Sequence, residues 1–451
     1  MVEKYLLYSR IFFVTLWVML TFPFVSQEII TPLQSLHVTV YLIADFIFLV
    51  MGLLTLRNRR DIIVFISFLI IGLTSSLVLN RETMIITFNG TRSYFGLIFS
   101  VPIMRWFMTG KNASRFMRSF DRQLFFFLVL QVPCIFWQFF RYGAGDFVGG
   151  SLGYWSSGII SSLIYSVSLY LVSKRWDYDD YLGSLRENYI YFLLLIPTFF
   201  NETKASFIYL MLYFLLLLRL KISMVKQLVW IVPSALILIS GLGVIYLKVT
   251  NQEADRVLSY EFFKEYLFGE STEHVVELAL AVEDDGLVVE STWGGIIDVP
   301  RFTKFIVVPS IFRDGHKNIW WGAGLGQFKG TNVIGITPFS KRFYWLLRGS
   351  KPWGFYVFVE LGIIGLIWVS FTLISMFLQR NSTTNGLNIK LYIGFMILFF
   401  FLYNDSLSSL YFCCLLFYMV MRTHYVPDDE PHLIEEDSDG IDSEVTSPTS
   451  V

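Results

Sequence analysis

Residues 196–220, IPTFFNETKASFIYLMLYFLLLLRL, are almost entirely apolar except for one short polar turn. The turn contains Asn201, Glu202, Thr203 and Lys204, and the apolar run on each side is about long enough to cross a membrane. This arrangement predicts two helices joined by a tight hairpin, with Glu202 and Lys204 at its lip.

The composition of the whole chain supports a membrane protein. Of the 451 residues, 55% are hydrophobic and only 16% are charged, whereas soluble proteins have about 25% charged residues. The net charge of −1 says little about partners. Three cysteines, Cys134, Cys413 and Cys414, lie within apolar runs and are expected to be small core residues, not a disulfide framework.

The apolar runs predict an all-α polytopic membrane protein with about twelve transmembrane helices. The predicted spans are 9–26, 34–56, 62–80, 94–109, 123–140, 157–173, 188–200, 205–220, 227–248, 353–378, 390–404 and 406–421. The chain then divides into helices 1–9 (1–248), one large loop (249–352), helices 10–12 (353–425) and an acidic tail (426–451).

Basic residues are distributed unequally between the two sets of connections. One set of connections contains basic residues in 57–60, 111–122, 174–186, 219–226 and 380–390, whereas the short connections on the opposite side contain only Arg81, Arg92, Arg141 and Lys204. The positive-inside rule assigns the first set to the cytoplasm. Both termini are then cytoplasmic, and the loop 249–352 faces outward.

The large loop and the tail differ in kind. The loop has helix-like spacing near its start, contains Trp293, Trp320 and Trp321, and is longer than a connection requires, which predicts a structured, partly helical cap. The tail has nine acidic residues and no Lys or Arg, which is typical of a disordered segment.

Lys204 is the first candidate for a functional residue. A lysine at a helix end often extends its ammonium group to the interface without any further role. In so short a turn, however, an ionisable group is also placed to hold an anion such as a lipid phosphate. Arg92 and Arg141, at the outer ends of spans, have the same two interpretations.

The large loop supplies further candidates. Arg301 and Arg313 flank an apolar stretch, and arginine suits bidentate phosphate recognition, although two arginines in a loop are also ordinary surface residues. Gly322, Gly324 and Gly326 in WWGAGLGQF (320–328) permit a positive φ or a close backbone approach. Because this run neither follows a strand nor ends in Lys-Ser/Thr, it does not predict a nucleotide site.

Three ionisable residues lie inside predicted spans: Asp45, Arg105 and Glu360. Such residues are costly in lipid and are expected to face protein or water. Pairing between helices and a catalytic role are equally compatible with the sequence. The five histidines are scattered without a metal-binding spacing, and no nucleic-acid-binding motif is present.

Three stretches occur in a characteristic order: NETKASFI (201–208), RFTKFIVVPSIFRDGHKNIWWGAGLGQF (301–328) and VELGIIGLIWV (359–369). In this order they resemble the bacterial O-antigen polymerase and ligase superfamily. The number of spans and the loop position fit over residues 9–421, while the residue-level match is confined to the three stretches. Arg313 and Gly324 are similar to an R-x10-G pattern of the polymerases.

The resemblance implies a metal-independent, GT-C-like glycosyltransferase without cofactors, acting on undecaprenyl-diphosphate-linked glycans at the periplasmic face of the bacterial inner membrane. It implies that Lys204, Arg301 and Arg313 bind the donor diphosphate, and that Glu202 or Glu360 orients the basic groups or the acceptor hydroxyl. Arg92, Arg141, Lys351 and Gly324 are expected to bind substrate. Besides the lipid bilayer, a chain-length regulator is an expected partner, and nucleic acid is not.

The ligases of this superfamily have a His-Asn pair just before the tenth span, where this chain has Lys351-Pro352. This departure favours a polymerase over the alternative, a ligase that transfers glycan to lipid A core, and leaves the group that activates the acceptor unidentified. A transporter is an alternative of another class. It would be expected to have polar residues and broken helices near the midplane in paired halves.

The asymmetry of the basic residues gives a testable topology. Alkaline phosphatase fused after Gly286 should be active because the loop faces outward, and the same enzyme fused after Pro431 should be inactive. Enzyme activity in cells carrying equal amounts of the two fusions checks this. The reverse pattern would place Lys204 in the cytoplasm and contradict the predicted site.

Overall fold

The structure is a computed structural model that describes residues 2–110, 112–145, 147–154, 156–201, 204–218, 301–327, 337–343, 346, 351–378 and 386–425. These residues are mainly helical and form no β-strands. Six of the helical segments are long and apolar enough to cross a membrane. The expectation of an all-α membrane protein is therefore confirmed for the described part of the chain.

The α-helices follow one another along the chain with these bounds: α1 Val2–Phe24, α2 His37–Thr55, α3 Arg59–Leu73, α4 Met84–Thr91, α5 Phe95–Met108, α6 Ala113–Tyr142, α7 Ser157–Ser173, α8 Tyr181–Leu193, α9 Lys204–Leu218, α10 Arg301–Asp314, α11 Pro338–Phe343, α12 Trp353–Phe377, α13 Gly386–Tyr403 and α14 Leu410–Arg422. Two π-helical turns, Val25–Ile29 and Thr74–Leu79, extend α1 and α3. Single 3₁₀ turns occupy several connections.

Each predicted span contains a helix, except 227–248, which lies outside the described residues. The predicted span 188–200 differs most from the structure. The helix there, α8, begins earlier because the Asp180 side chain caps it by accepting a hydrogen bond from the Gly183 N–H at 2.9 Å. It ends at Leu193, and a 3₁₀ turn containing Pro197 follows.

Two short helices, α5 and α14, form the centre of the bundle. Every residue of α14 is buried, and so is most of α5. They can approach closely because Gly96 faces Cys413, where an added Cβ would lie 2.8 Å from the sulfur atom. Cys134, Cys413 and Cys414 are all buried, as expected of core residues.

The ionisable residues in the predicted spans are paired between helices. The Arg92 guanidinium donates to Asp45 Oδ2 through Nε at 2.9 Å and Nη2 at 2.5 Å. Arg105 forms an ion pair with Asp61 of α3. Pairing is one of the two roles that the sequence leaves open for Asp45 and Arg105, and it stabilises charges that lipid would otherwise exclude.

We call the end of the bundle that carries the α1–α2, α3–α5, α6–α7 and α13–α14 connections the loop end. Residues 318–327, which we call the glycine loop, pack into the bundle at this end. All three glycines of this loop have positive φ: 75° at Gly322, 101° at Gly324 and 83° at Gly326. The conformational role predicted for these glycines is thus present in the structure.

The glycine loop fills a break in α12. Gly362 has φ 65° and ψ −158°, which interrupts the helical hydrogen bonds around it. The carbonyl groups of Val359 and Glu360 accept from Ala323 N at 2.7 Å and Gly324 N at 3.0 Å. In return, the N–H groups of residues 363 and 364 donate to the carbonyls of residues 319 and 320, both at 3.1 Å.

The other side of the glycine loop contacts the π-helical turn of α3. Ser76 Oγ accepts from Leu325 N at 2.8 Å, and Ser75 Oγ donates to the Trp321 carbonyl at 2.5 Å. Asn80 donates to the Gly322 carbonyl at 3.0 Å. The loop is therefore held between α3 and α12, and it fixes where the segments before and after it lie.

Substitution of Gly326 by alanine should destabilise the protein. The new Cβ would lie 2.3 Å from the Ile86 carbonyl oxygen, and φ is 83°. Backbone strain and overpacking together should cost about 2–5 kcal/mol of unfolding free energy. Thermal unfolding of purified protein in detergent checks this.

Gly394→Ala in α13 is the matched control for Gly326→Ala. Its added Cβ would have only an ordinary contact, 3.6 Å from the Phe377 ring, and alanine favours helix. Equal unfolding temperatures for the two variants would contradict the described docking of the glycine loop.

Candidate functional site

Arg301, the first residue of α10, lies against the end of α13. Its guanidinium carbon is 3.9 Å from the ring centroid of Tyr403, the last residue of α13. A guanidinium group over an aromatic face is a favourable cation–π arrangement that holds the cation in position. The guanidinium of Arg301 is thus positioned at the loop end of α13.

Lys204, the first residue of α9, lies at the same level of the bundle. The helix α9 runs inward from the loop end and α13 runs toward it, and the rings of Tyr209 and Phe399 are 5.3 Å apart. Tyr209 is five residues after Lys204 and Phe399 is four residues before Tyr403, so the backbone of Lys204 lies near the level of Tyr403. The hairpin is anchored by Asn201, which is buried and donates to Ser161 Oγ at 3.0 Å.

Lys351 lies at the same corner. It is two residues before Trp353, whose N–H donates to the carbonyl of Asn404, the neighbour of Tyr403, at 2.8 Å. Two residues span at most roughly 7 Å. The structure therefore places the backbones of Lys204 and Lys351 near the contact between Arg301 and Tyr403, and we call this region of the loop end the cationic corner.

Arg313 is not part of the cationic corner. It occupies the opposite end of α10 from Arg301 and is exposed. Twelve residues of helix separate the two arginines by roughly 18 Å. Arg313 thus lies away from the contact between Arg301 and Tyr403. Glu202 lies outside the described residues.

Glu360 holds the glycine loop. It is 1% exposed, and its carboxylate accepts from Gly326 N at 2.9 Å and from the Tyr94 hydroxyl at 2.8 Å. Gly324, expected to bind substrate, is also buried and donates its N–H to the Glu360 carbonyl. In this structure both residues contribute to the docking of the loop against α12.

The two remaining candidates are in ion pairs elsewhere at the loop end. Arg141 donates to Glu28 Oε2 at 3.1 Å, and Arg92 pairs with Asp45. Glu28 is in the π-helical turn after α1, and it also accepts from the Tyr142 hydroxyl at 3.2 Å.

Lys317 lies at the entrance of the glycine loop and is partly buried. Burial lowers the pKa of Lys317, and the nearby Glu82 carboxylate opposes this effect. Glu82 itself accepts from Gln327 at 2.9 Å. Within the described ranges, no three His, Cys, Asp or Glu side chains lie close enough to hold a metal ion.

Several residues at the site were missed by sequence reasoning. Tyr403 ends an apolar run and is far from Arg301 in the sequence, so the sequence gives no sign of their contact. Lys304, three residues after Arg301, resembles a surface lysine in sequence but is fully buried. Glu28 lies in the connection between the first two predicted spans, and the glutamine and serine residues near it have no distinctive spacing.

Comparison with known proteins gives no further assignment: neither a protein-family model nor a curated protein matches this chain.

Substitutions of Glu360 should distinguish the effect of its hydrogen bonds from the effect of its negative charge. Glu360→Ala leaves the Gly326 N–H and the Tyr94 hydroxyl without acceptors, which should cost at least about 2 kcal/mol of unfolding free energy. In Glu360→Gln the amide oxygen can accept from Gly326 N, and the Tyr94 hydroxyl can turn to accept from the amide.

We therefore expect Glu360→Gln to remain near the wild-type unfolding temperature and Glu360→Ala to fall well below it. Thermal unfolding of both purified variants in detergent checks this. Equal unfolding temperatures for Glu360→Gln and Glu360→Ala would contradict the described hydrogen bonds of the carboxylate.

Proposed function

We propose that this chain is a polysaccharide polymerase that joins undecaprenyl-diphosphate-linked repeat units at the periplasmic face of the bacterial inner membrane. The observation that carries the proposal is the cationic corner: Lys204, Arg301 and Lys351 come from three distant parts of the chain and meet at one end of an apolar bundle. Such a corner suits a lipid-linked diphosphate, whose tail remains in the bilayer while its charged group lies at the interface.

The proposed reaction is a displacement at an anomeric carbon. The bond between the donor sugar's anomeric carbon and the diphosphate oxygen breaks, and its electron pair leaves with the diphosphate. A bond forms from the same carbon to a hydroxyl oxygen of the acceptor repeat. The released diphosphate takes up the hydroxyl proton, so atoms and charge balance without an added co-reactant.

The cations assist by stabilising the charge that develops on the leaving group. Lys204 and Arg301 contact the donor diphosphate, and the Tyr403 ring holds Arg301 in place before the substrate arrives. Lys351 provides a further contact at the same corner. Arg313, roughly 18 Å along α10, reaches the glycan and not the diphosphate.

The positive-inside rule supports cytoplasmic termini for this proposal. The proposal further requires that the lipid carrier leaves laterally between helices. A chain-length regulator is a further partner.

The broken helix α12 also bears on the transporter alternative. Discontinuous helices in transporters expose backbone groups to a substrate or ion. In α12 the backbone groups freed at Gly362 are bonded to the glycine loop. This use of the break favours a packing role over a transport site.

Purified protein supplied only with lipid-linked repeat units should form a ladder of longer lipid-linked chains. Arg301→Ala should slow this reaction by roughly 30- to 1000-fold, because loss of one electrostatic stabiliser costs about 2–4 kcal/mol of barrier. Lys204→Ala should have a similar effect, and Lys204→Arg should retain part of the activity because the charge survives. Gel separation of labelled products measures the rates.

Arg57→Ala is the control, because Arg57 is an exposed arginine at the opposite end of the bundle, and its rate should match wild type. Full activity of both Arg301→Ala and Lys204→Ala would remove the cationic corner from the mechanism. Transfer of preformed glycan to lipid A core, without a ladder, would identify a ligase instead.

A further inference from the structure

A second polar feature lies at the loop end, on the other side of the α13–α14 connection. It is a cavity of about 180 Å³ between α1, α2, the segment before α5 and the start of α14. Its wall includes Tyr41, Asp45, Arg92, Ser93, Ser408 and Tyr411. None of the residues of the cationic corner lines it.

The wall of the cavity is rich in hydrogen-bonding groups. Asn89 accepts from Arg92 Nη1 at 3.2 Å, and Ser408 and Ser409 lie on the opposite side. Ser93 is 4% exposed, and its hydroxyl oxygen is buried without a hydrogen-bond partner. A buried hydroxyl in this state is costly, and a ligand with hydroxyl groups would give it a partner when the serine changes rotamer.

The charge of the cavity is balanced. Arg92 donates twice to Asp45 Oδ2, so the guanidinium charge is largely compensated within the wall. An isolated phosphate would have to compete with the Asp45 carboxylate at close range. A neutral ligand meets no such repulsion, and both charged groups can form strong hydrogen bonds with its hydroxyls.

The size of the cavity limits the ligand to one small unit. Pockets for drug-sized molecules begin at about 300 Å³, whereas this cavity has about 180 Å³. Two tyrosines, Tyr41 and Tyr411, contribute to the wall, and aromatic rings provide apolar faces together with a polar tip. A six-membered ring with several hydroxyl groups matches this combination of size, polarity and aromatic surface.

We propose that this cavity binds one neutral monosaccharide unit. The inference rests on the proposed function only for the source of the ring, which would be a sugar of the lipid-linked glycan. Asn404 is at the cationic corner and Ser408, four positions later, is in the cavity wall, so that their Cα atoms are at most roughly 14 Å apart. A sugar in the cavity would therefore lie close to a diphosphate at the corner.

Cysteine protection tests the proposal without any transfer reaction. Ser408→Cys places a thiol in the cavity wall, and the chain's three native cysteines are buried. The full-length variant is purified in a detergent without a sugar head group and labelled with methyl methanethiosulfonate. Hexoses, 6-deoxyhexoses and N-acetylhexosamines are then added separately, and inorganic phosphate is added in a parallel series.

At least one of these sugars should slow labelling by about tenfold when it is present at roughly ten times its Kd, and phosphate should not. Asp45→Asn in the same background should reverse this preference, because Arg92 then carries an uncompensated charge. Ser35→Cys, an exposed position in the α1–α2 connection, should label at the same rate with every addition.

Labelling of Ser408→Cys that no sugar slows, or that phosphate slows as much as any sugar, would overturn the proposal. Because the measurement needs no glycan transfer, protection can succeed where the polymerisation assay fails. In that case the proposed function is wrong and the sugar site remains. A ladder of products without protection of Ser408→Cys would overturn the sugar site and leave the proposed function in place.

Discussion

A helix interrupted inside a bilayer must supply partners for the backbone groups that the interruption frees, because lipid offers none. In this protein Gly362 interrupts α12, and the glycine loop bonds to both sides of the break. The arrangement needs glycines in the loop, because the two backbones approach closely: a Cβ on Gly322 would lie 2.6 Å from the Gly362 nitrogen. The same contact explains why Glu360 is buried beside the break, where its carboxylate fixes Gly326.

The other features of the loop end depend on this contact. The glycine loop directly follows the C-terminal end of α10. Docking of the loop therefore fixes the position of that end of α10, whose first residue, Arg301, contacts Tyr403. Residues at the start of α12 reach the α13–α14 connection through Trp353 and Asn404. That connection separates the cationic corner from the polar cavity. Two chemically different surfaces, one cationic and one charge-balanced, are thus positioned by one internal constraint.

The sequence predicts the helices well because the position and length of each apolar run can be found from the local sequence alone. It predicts ends less well where a local signal competes, as at Asp180 and Pro197 in α8. It also identifies Asp45, Arg105 and Glu360 as unusual, since a charge in an apolar run is uncommon. Their partners could not be predicted, because Asp45 meets Arg92 and Glu360 meets Tyr94 only through tertiary packing.

The same reasoning applies to the candidate site. Lys204 and Arg301 can be selected by residue type and position, but their common location depends on the packing of α9 and α10 around α13. Arg301 and Arg313 are separated because both lie in α10, near its opposite ends. The sequence alone does not show this separation, because it places both residues in the same long loop. The sequence suggests a substrate-binding role for Gly324 and an orienting role for Glu360. In the structure both form hydrogen bonds that hold the glycine loop against α12.

The break in α12 has a consequence for the order in which the protein assembles. During synthesis α3 is made first, the glycine loop much later, and α12 shortly after it. Until all three have met, α12 has unpaired backbone groups within the membrane, and such a segment is less stable in lipid than a continuous helix. Completion of this helix is therefore coupled to the folding of a segment outside it, so that a chain with an unfolded loop retains an incomplete span that the cell's membrane quality control can detect.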